Sequence, residues 1–303
     1  MFLFLTVLIL SVFAAHAGGF DLVINDVSGL DEPWPLTSSL AFPRGEIRDP
    51  STIRIMSGVK EIPSQVDVTA TWRDGSIRWA LAGFTASPRG KYRVEYGEGI
   101  RRSAHPAPLK VTTQNGNITV DTGAAVFLLE SDKLLPEKAW LATGTGSIPI
   151  LEGSGGGVYL LDNSGRTAKV SGPEAQITNS ILKNGPARFV VKRSGWYVTP
   201  TGEKLARAAL WLYFSAGSPY VKITHSLILT GDTNKVWFKD YGIEFKTPAP
   251  PTETYCAAGM PGKESIIKAR GKEVFLLQDI YPHFAEREYK AGIGISANGT
   301  ERI

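Results

Sequence analysis

Residues 66–84, VDVTATWRDGSIRWALAGF, carry the strongest structural signal of the sequence. Apolar and polar residues alternate in each half, as they do in a strand that buries one face. The parity of the alternation changes at Asp74-Gly75, a dipeptide that favours two-residue hairpin turns. The pattern therefore predicts a β-hairpin with a type I′ turn, in which Trp72 lies opposite Ile77.

This register places both tryptophans of the hairpin on one face. Because cross-strand partners share a face, Trp72 and Trp79 are expected to point into a core together with the aliphatic residues. A slip of one residue would expose both rings, so the register is strongly specified. Arg73 and Arg78 fall on the opposite, outer face. The tryptophans are thus predicted as core residues, and the two arginines as the better candidates for contact with an acidic partner.

Composition and charge exclude several classes of protein. With 43% hydrophobic and 20% charged residues, the 303-residue chain is typical of a folded protein and not of a disordered or fibrous one. A net charge of +4 and a pI of about 9.0 are compatible with an acidic polymer, but far too weak to indicate nucleic acid. The single cysteine, Cys256, cannot form an internal disulfide, so burial of a core must stabilise the fold.

The N-terminus, MFLFLTVLILSVFAAHA, predicts a signal peptide over residues 1–17. Its apolar run is too short to cross a bilayer comfortably, and Ala15-His16-Ala17 is a typical cleavage pattern. No Lys or Arg precedes Arg44, so a buried N-terminal strand is the alternative. No other segment is long and apolar enough to span a membrane. We therefore expect a secreted or periplasmic protein without membrane association after cleavage.

Strand signals dominate the rest of the chain. Asn115-Gly116, between two β-rich runs, is the strongest short hairpin signal. Residues 203–214 have apolar residues at helical spacing, but Gly202 and Gly217 flank them between two β-rich runs, which favours a strand over the helical alternative. The charged, proline-containing residues 101–108 predict a connection between two parts. The chain is accordingly expected to be all-β, with domains at 20–100 and 109–303.

Two blocks of sequence carry a resemblance to a known family. Residues 42–45, FPRG, precede Gln65 and the segment 72–79, WRDGSIRW, in an order similar to the N-terminal small β-barrel domain of exo-rhamnogalacturonan lyase-like proteins. Residues 215–245, which include AGSPYVKITH and a downstream Gly-Asp, resemble the second, β-sandwich domain of the same proteins. The resemblance implies a small N-terminal β-barrel followed by a larger antiparallel β-sandwich.

The resemblance also implies a function. Such proteins are exported polysaccharide lyases that cut an acidic pectic polysaccharide, rhamnogalacturonan, by β-elimination. They continue into an α/α-toroid, whereas this sequence ends at Ile303 without a helical repeat region. We therefore expect a lyase as the parent protein and no activity from these residues alone. The alternative is a non-catalytic carbohydrate-binding or structural β-module.

β-Elimination next to a uronate carboxylate needs a cation, a base and an acid. His225, on the predicted strand 220–230, matches the family's strand histidine and is the candidate catalytic residue. The alternative is a satisfied core histidine, since Val221, Ile223 and Leu227 share its parity. The candidate substrate-binding residues are Tyr220, Lys222, Arg193, Tyr197, Arg73 and Arg78.

No motif assigns a metal or cofactor. The sequence has no GxSxG elbow of a serine hydrolase and no His/Cys cluster with zinc spacing. Asp232 and Asn234 begin like a calcium loop, but the next ligand, the glycine and the distal glutamate do not follow. We therefore predict no metal site and no cofactor, and leave calcium open. The expected partner is an acidic polysaccharide.

Overall fold

The computed structural model describes residues 18–24, 32–153 and 156–248, together with the backbone of four later strands. The predicted signal peptide lies outside the described residues. Contacts divide the chain into two units: Met1–Val23, Leu36–Phe84 and Gly90–Ala104 form the first, and Ile24–Pro35, Thr85–Arg89 and His105–Ile303 the second. In the described part of the chain, regular structure consists of strands and two short 3₁₀ turns, and no helix there is long and apolar enough to cross a membrane.

The first unit is built from short strands. They are β1 (Gly18–Leu22), β2 (Trp34–Ala41), β3 (Ile53–Ser57), β4 (Lys60–Ile62), β5 (Ser64–Thr71), β6 (Ile77–Ala86) and β7 (Tyr92–Tyr96), with a 3₁₀ turn at Pro50–Thr52 before β3. The first two residues of β2, Trp34 and Pro35, and the last two of β6 belong to the second unit. One sheet has the order β1-β7-β3-β4 and the other β2-β6-β5. Leu40, Ile53, Ile55 and Val94 are fully buried and form part of the core.

The opening hairpin forms between β5 and β6, but its turn differs from the prediction. Trp72 N donates to Ser76 O (2.8 Å) and Gly75 N to Trp72 O (3.0 Å), which closes a three-residue loop. Gly75 has a φ of +80°, whereas Asp74 stays at negative φ. This is a type I turn followed by a glycine bulge, so the predicted type I′ turn is wrong. The Asp74 carboxylate accepts bonds from Ser76 N (3.0 Å) and Oγ (2.6 Å), which stabilises the longer loop.

A further bulge changes which residues of β6 face the core. Thr71 pairs with Ile77 and Ala70 with Trp79, so Arg78 is an extra residue on one strand. An extra residue reverses the parity beyond it. Trp79 is consequently 42% exposed, and its assignment to the core is wrong.

Trp72 remains half-buried at the end of the hairpin. Its indole Nε1 donates to the Phe42 carbonyl (3.1 Å), which anchors the loop to a neighbouring segment. The Arg78 guanidinium lies 4.7 Å from the Trp72 ring centroid. Arg73 and Arg78 are both exposed, as the sequence predicts.

The second unit begins with an antiparallel meander. Its strands are β8 (Lys110–Gln114), β9 (Asn117–Asp121), β10 (Ala125–Leu129), β11 (Lys138–Thr143) and β12 (Gly146–Glu152), each paired with the next. Asn115 and Gly116 join β8 to β9 with φ of +51° and +79°, and Gln114 pairs with Asn117. The prediction of a two-residue hairpin is confirmed here.

A larger sheet follows. Its strands are β13 (Gly157–Asp162), β14 (Thr167–Lys169), β15 (Thr178–Asn184), β16 (Arg188–Val198), β17 (Lys204–Ser215), β18 (Val221–Leu229) and β19 (Phe238–Glu244), with a 3₁₀ turn at Pro173–Ala175. The order is β18-β17-β16-β14-β13-β19, and β15 pairs with the first part of β16. β17 pairs with both β16 and β18. This confirms the prediction of a strand, rather than a helix, for residues 203–214.

The two sheets of the second unit share one core. Ile118, Phe127 and Leu129 of the meander belong to the same buried cluster as Leu210 and Phe214 of β17. The rings of Phe127 and Phe214 are 5.3 Å apart between centroids. Two sheets packed face to face over a common core form a β-sandwich. The predicted all-β fold is therefore confirmed.

Four strands complete the described backbone. β20 (Glu253–Ala258) pairs with β21 (Ser265–Arg270), and β22 (Val274–Gln278) with β23 (Ile293–Ala297), both antiparallel. Cys256 lies on β20.

Candidate functional site

The strand β16 separates its side chains onto two faces of the larger sheet. Phe189, Val191, Arg193 and Tyr197 share a parity and are buried in the sandwich. The residues of the other parity face outward, and among them Lys192, Ser194 and Trp196 are only partly buried. Residues of β17 and β18 follow the same alternation through their pairing with β16. The predicted site residues of this sheet are therefore divided between an inner and an outer face.

His225 lies on the inner face, on β18, opposite Leu210 of β17. Its Nε2 is 2.8 Å from the hydroxyl oxygen of Tyr197, a hydrogen bond whose direction depends on the tautomer. The imidazole ring also makes an edge-to-face contact with the ring of Tyr241 on β19, with 5.7 Å between ring centroids. The fold thus brings two predicted residues, His225 and Tyr197, into direct contact.

Small residues allow this contact across β17. Tyr197 pairs with Ala206, and Gly195 pairs with Ala208, so short side chains leave room above the central strand. The phenol of Tyr197 can therefore reach His225 from a strand that is not its neighbour. Sequence alone could not predict the contact, because it depends on the registers of β16 and β18 against β17.

Burial sets the protonation of this pair. Tyr197 is fully buried, and burial together with the nearby Tyr241 raises the pKa of its hydroxyl well above the ordinary value. Burial lowers the pKa of His225, because it disfavours the imidazolium. At neutral pH the pair is a neutral phenol bonded to a neutral imidazole. Tyr241 is 53% exposed and places the open side of the cluster at the surface.

Arg193 is a fully buried cation of the inner face. Its Nε donates to Asn179 Oδ1 (2.8 Å) and its Nη2 to the Glu130 carbonyl (2.6 Å). Burial lowers its pKa to about 10, which the charge of Asp132 partly offsets, so the group remains charged at neutral pH. In this position the guanidinium joins β15 and the end of β10 to the core. Contact with a polymer would require the sandwich to open.

Tyr220 precedes β18 at the surface and is 41% exposed. Its ring stacks on Trp34, with 4.6 Å between centroids, and its hydroxyl donates to Glu32 (3.2 Å). Burial and this bond raise the pKa of the phenol. Arg73 and Arg78, the other predicted binding residues, belong to the first unit.

The outer face of the sheet holds a group of cations and aromatic rings that sequence reasoning missed, except for Lys222. The cation lies 5.0 Å from the ring centroid for Lys192 over Trp211, 5.3 Å for Arg207 over Trp196 and 5.5 Å for Lys222 over Tyr213. Lys204 and Arg188 make similar contacts, with Trp196 and Tyr213 respectively. The available signal was the alternation itself, since these residues occupy the outward positions of β16 and β17.

No metal centre is evident in the part of the chain that the structure describes. No group of three or more His, Cys, Asp or Glu residues is placed there to hold an ion. The Asp232 carboxylate instead accepts bonds from Asn234 N (3.0 Å) and Nδ2 (3.1 Å) and pairs with Lys235. This calcium-like motif is thus a local turn.

Comparison with known families agrees with this architecture. The two sheets of the first unit and the two-sheet sandwich of the second define a two-domain all-β protein. The family model described as the PcRGLX-like N-terminal RIFT barrel domain matches residues 30–97, and that described as the PcRGLX-like protein central beta sandwich domain matches residues 109–256. The chain belongs to this PcRGLX-like family, which confirms the resemblance in its sequence. No curated protein matches the chain.

Proposed function

We propose that this barrel and sandwich belong to an exported protein that cleaves acidic pectic polysaccharide, rhamnogalacturonan, by β-elimination. The observation that carries the proposal is the match of two domains, in order, to lyase-like family models over residues 30–97 and 109–256. Export is supported by the signal-like pattern of residues 1–17.

The cluster at His225 could supply part of this chemistry. A base must take the proton next to the uronate carboxylate, and an acid must protonate the leaving glycosidic oxygen. In the tautomer whose Nε2–H donates to the Tyr197 hydroxyl oxygen, Nδ1 of the neutral imidazole is unprotonated and is the atom left to accept a proton. The exposed phenol of Tyr241, 5.7 Å away between centroids, is the candidate acid.

Among the described residues, the contacts of this cluster include no cation that could neutralise the uronate carboxylate. Burial alone shifts the pKa of His225, and no charged residue of the described chain acts on it. Arg193, on the inner face, directs its guanidinium to Glu130 and Asn179. This observation favours the second candidate function, in which the two domains bind the polysaccharide and other parts of the protein cleave it.

The two functions differ in product formation. The protein purified from its natural source and the 303-residue chain are each incubated with rhamnogalacturonan, and the ultraviolet absorbance of unsaturated uronate is recorded. We expect product from the natural protein, and binding without product from the chain. Product from the chain that His225→Ala abolishes and Tyr159→Phe preserves would instead assign the chemistry to His225. No product from the natural protein on any uronate polymer would overturn the lyase function.

A further inference from the structure

The outer face of β15–β18 presents a continuous set of cations and rings. We define the cation–aromatic face by Lys192, Trp196, Arg207, Trp211, Tyr213 and Lys222. Pairing places Lys192 beside Trp211, Trp196 beside Arg207, and Tyr213 beside Lys222 on three neighbouring strands. Arg207 and Tyr213 are six residues apart on β17, about 20 Å at the usual rise of a strand. The face is therefore long enough for several sugar units.

The long side chains of this face lie flat across the sheet. Val190 and Ala209 occupy outward positions on β16 and β17, yet they are only 3% and 1% exposed. Longer side chains flank both of them on the same face, with Tyr213 beside Val190 and Arg207 and Trp211 on either side of Ala209. Cation–π contacts at 5.0–5.5 Å hold those neighbours against one another. The result is a platform rather than a set of projecting chains.

The charge of the platform is entirely positive. The four strands β15, β16, β17 and β18 contain no Asp or Glu. Lys192, Arg207 and Lys222 have no carboxylate partner within the described residues, and each lies over an aromatic ring instead. In contrast, Arg166 of the same unit is paired with Asp162 at 2.7 Å. The cations of the platform are thus available to an external anion.

We propose that the cation–aromatic face is a binding site for a linear, uronate-containing polysaccharide, separate from the cluster at His225. Carboxylates of the polymer pair with the ammonium and guanidinium groups, which form charge-assisted hydrogen bonds. As a cation turns from its ring toward a carboxylate, the freed ring face packs against the apolar face of a sugar. The choice of ligand rests on the proposed function, whereas the location of the site rests on the geometry of the sheet.

The test compares binding of the full chain to two forms of one polymer, sodium polygalacturonate and its methyl ester, which lacks the charges. We expect at least tenfold tighter binding of the charged form, with affinity that falls as salt rises because exposed charges are screened. Single-stranded DNA is the third probe. Binding of DNA as tight as that of polygalacturonate would overturn the assignment to a carboxylated sugar.

Paired variants locate the site. Lys192→Glu and Trp211→Ala are each expected to weaken polygalacturonate binding at least tenfold. The controls are Lys239→Glu and Trp237→Ala, which change an exposed lysine and a 58% exposed tryptophan off the platform. Their affinity for polygalacturonate should stay within twofold of that of the wild type. Circular dichroism of each variant confirms that it is folded. Equal affinities of the platform and control variants would overturn the proposal.

The binding test of the platform and the product test of the lyase function can fail independently of each other. Binding that depends on Lys192 and Trp211 supports the site even when the natural protein yields no unsaturated product. Failure of the wild-type chain to bind polygalacturonate overturns the site even when the natural protein is an active lyase.

Discussion

Lys192 and Arg193 are neighbours on β16, yet they occupy two different environments. Arg193 is fully buried, and its guanidinium is bonded to Asn179 and to the backbone of Glu130. Lys192 lies on the outer face over Trp211, without a carboxylate partner in the described chain. The inner cation joins segments of the sandwich, whereas the outer one can meet a ligand.

Four residues further along β16, Trp196 and Tyr197 are likewise divided between the outer and the inner face. Tyr197 is buried and bonded to His225, while Trp196 lies on the outer face between Lys204 and Arg207. Adjacent residues of a strand point to opposite faces. Parity within the strand, rather than nearness in sequence, therefore separates the structural residues of β16 from those proposed to bind a ligand. Substitutions at adjacent positions therefore test the comparison.

The largest difference is expected between Arg193→Ala and Lys192→Ala. Loss of Arg193 leaves the Glu130 carbonyl and the Asn179 amide oxygen without a donor and opens a cavity. We expect a fall of about 3 kcal/mol or more in the free energy of unfolding. Lys192→Ala should change the free energy of unfolding by no more than about 0.5 kcal/mol. Urea denaturation measures both, and similar losses would contradict the division of faces.

Gly195→Ala and Ser194→Ala form the second pair. A Cβ on Gly195 would lie 2.7 Å from Val170 Cγ1 and 3.2 Å from the Ala175 carbonyl. This overpacking should lower the free energy of unfolding by about 2 kcal/mol. Ser194→Ala on the outer face is the control, with an expected change within about 0.5 kcal/mol. A stable Gly195→Ala variant would show that the inner face has more room than the structure shows.

Tyr197→Phe and Tyr213→Phe remove one hydroxyl from each face. Without the Tyr197 hydroxyl, Nε2 of His225 loses its partner in a half-buried position. The free energy of unfolding should fall by about 1 kcal/mol. The Tyr213 hydroxyl makes no hydrogen bond within the described residues, so its loss should have little effect. Thermal melts compare the two variants. A lower melting temperature for Tyr213→Phe than for Tyr197→Phe would contradict the buried hydrogen bond between Tyr197 and His225.

The smallest effect concerns pH. Burial lowers the pKa of His225 in the folded chain, so the unfolded chain binds a proton more readily. Stability from this residue is therefore present above the unfolded pKa of about 6.5 and is lost as pH falls toward the folded value. The wild type should lose more stability than His225→Gln between about pH 7.5 and about pH 5. Parallel curves for the two proteins would contradict the lowered pKa.

Several features could be predicted from the sequence because local chemistry determines them. Asn115-Gly116 supports positive φ at both turn positions, so the two-residue hairpin follows. Residues 203–214 lie between Gly202 and Gly217 and beside β-rich runs, and these local signals correctly favoured a strand over a helix. The prediction of a type I′ turn at Asp74-Gly75 was wrong because the Asp74 side chain accepts hydrogen bonds from Ser76 and stabilises a three-residue loop. The register shift at Arg78 then exposed Trp79.

The site was harder to predict because it depends on register between distant strands. His225 shares its inner face with Val221, Ile223 and Leu227, as its parity indicates. Its contact with Tyr197 depends on the small residues of the strand between them. The cation–aromatic face likewise arises only when β16, β17 and β18 are paired. Lys222 was the single residue of that face that local reasoning named.

We propose that the outer face, and not the inner cluster at His225, provides most of the affinity for acidic polysaccharide. Isothermal titration calorimetry of Lys192→Glu and His225→Gln with sodium polygalacturonate tests this division. We predict at least tenfold weaker binding for Lys192→Glu and an affinity within twofold of the wild type for His225→Gln. Undiminished binding by Lys192→Glu, with loss of binding by His225→Gln, would contradict the account.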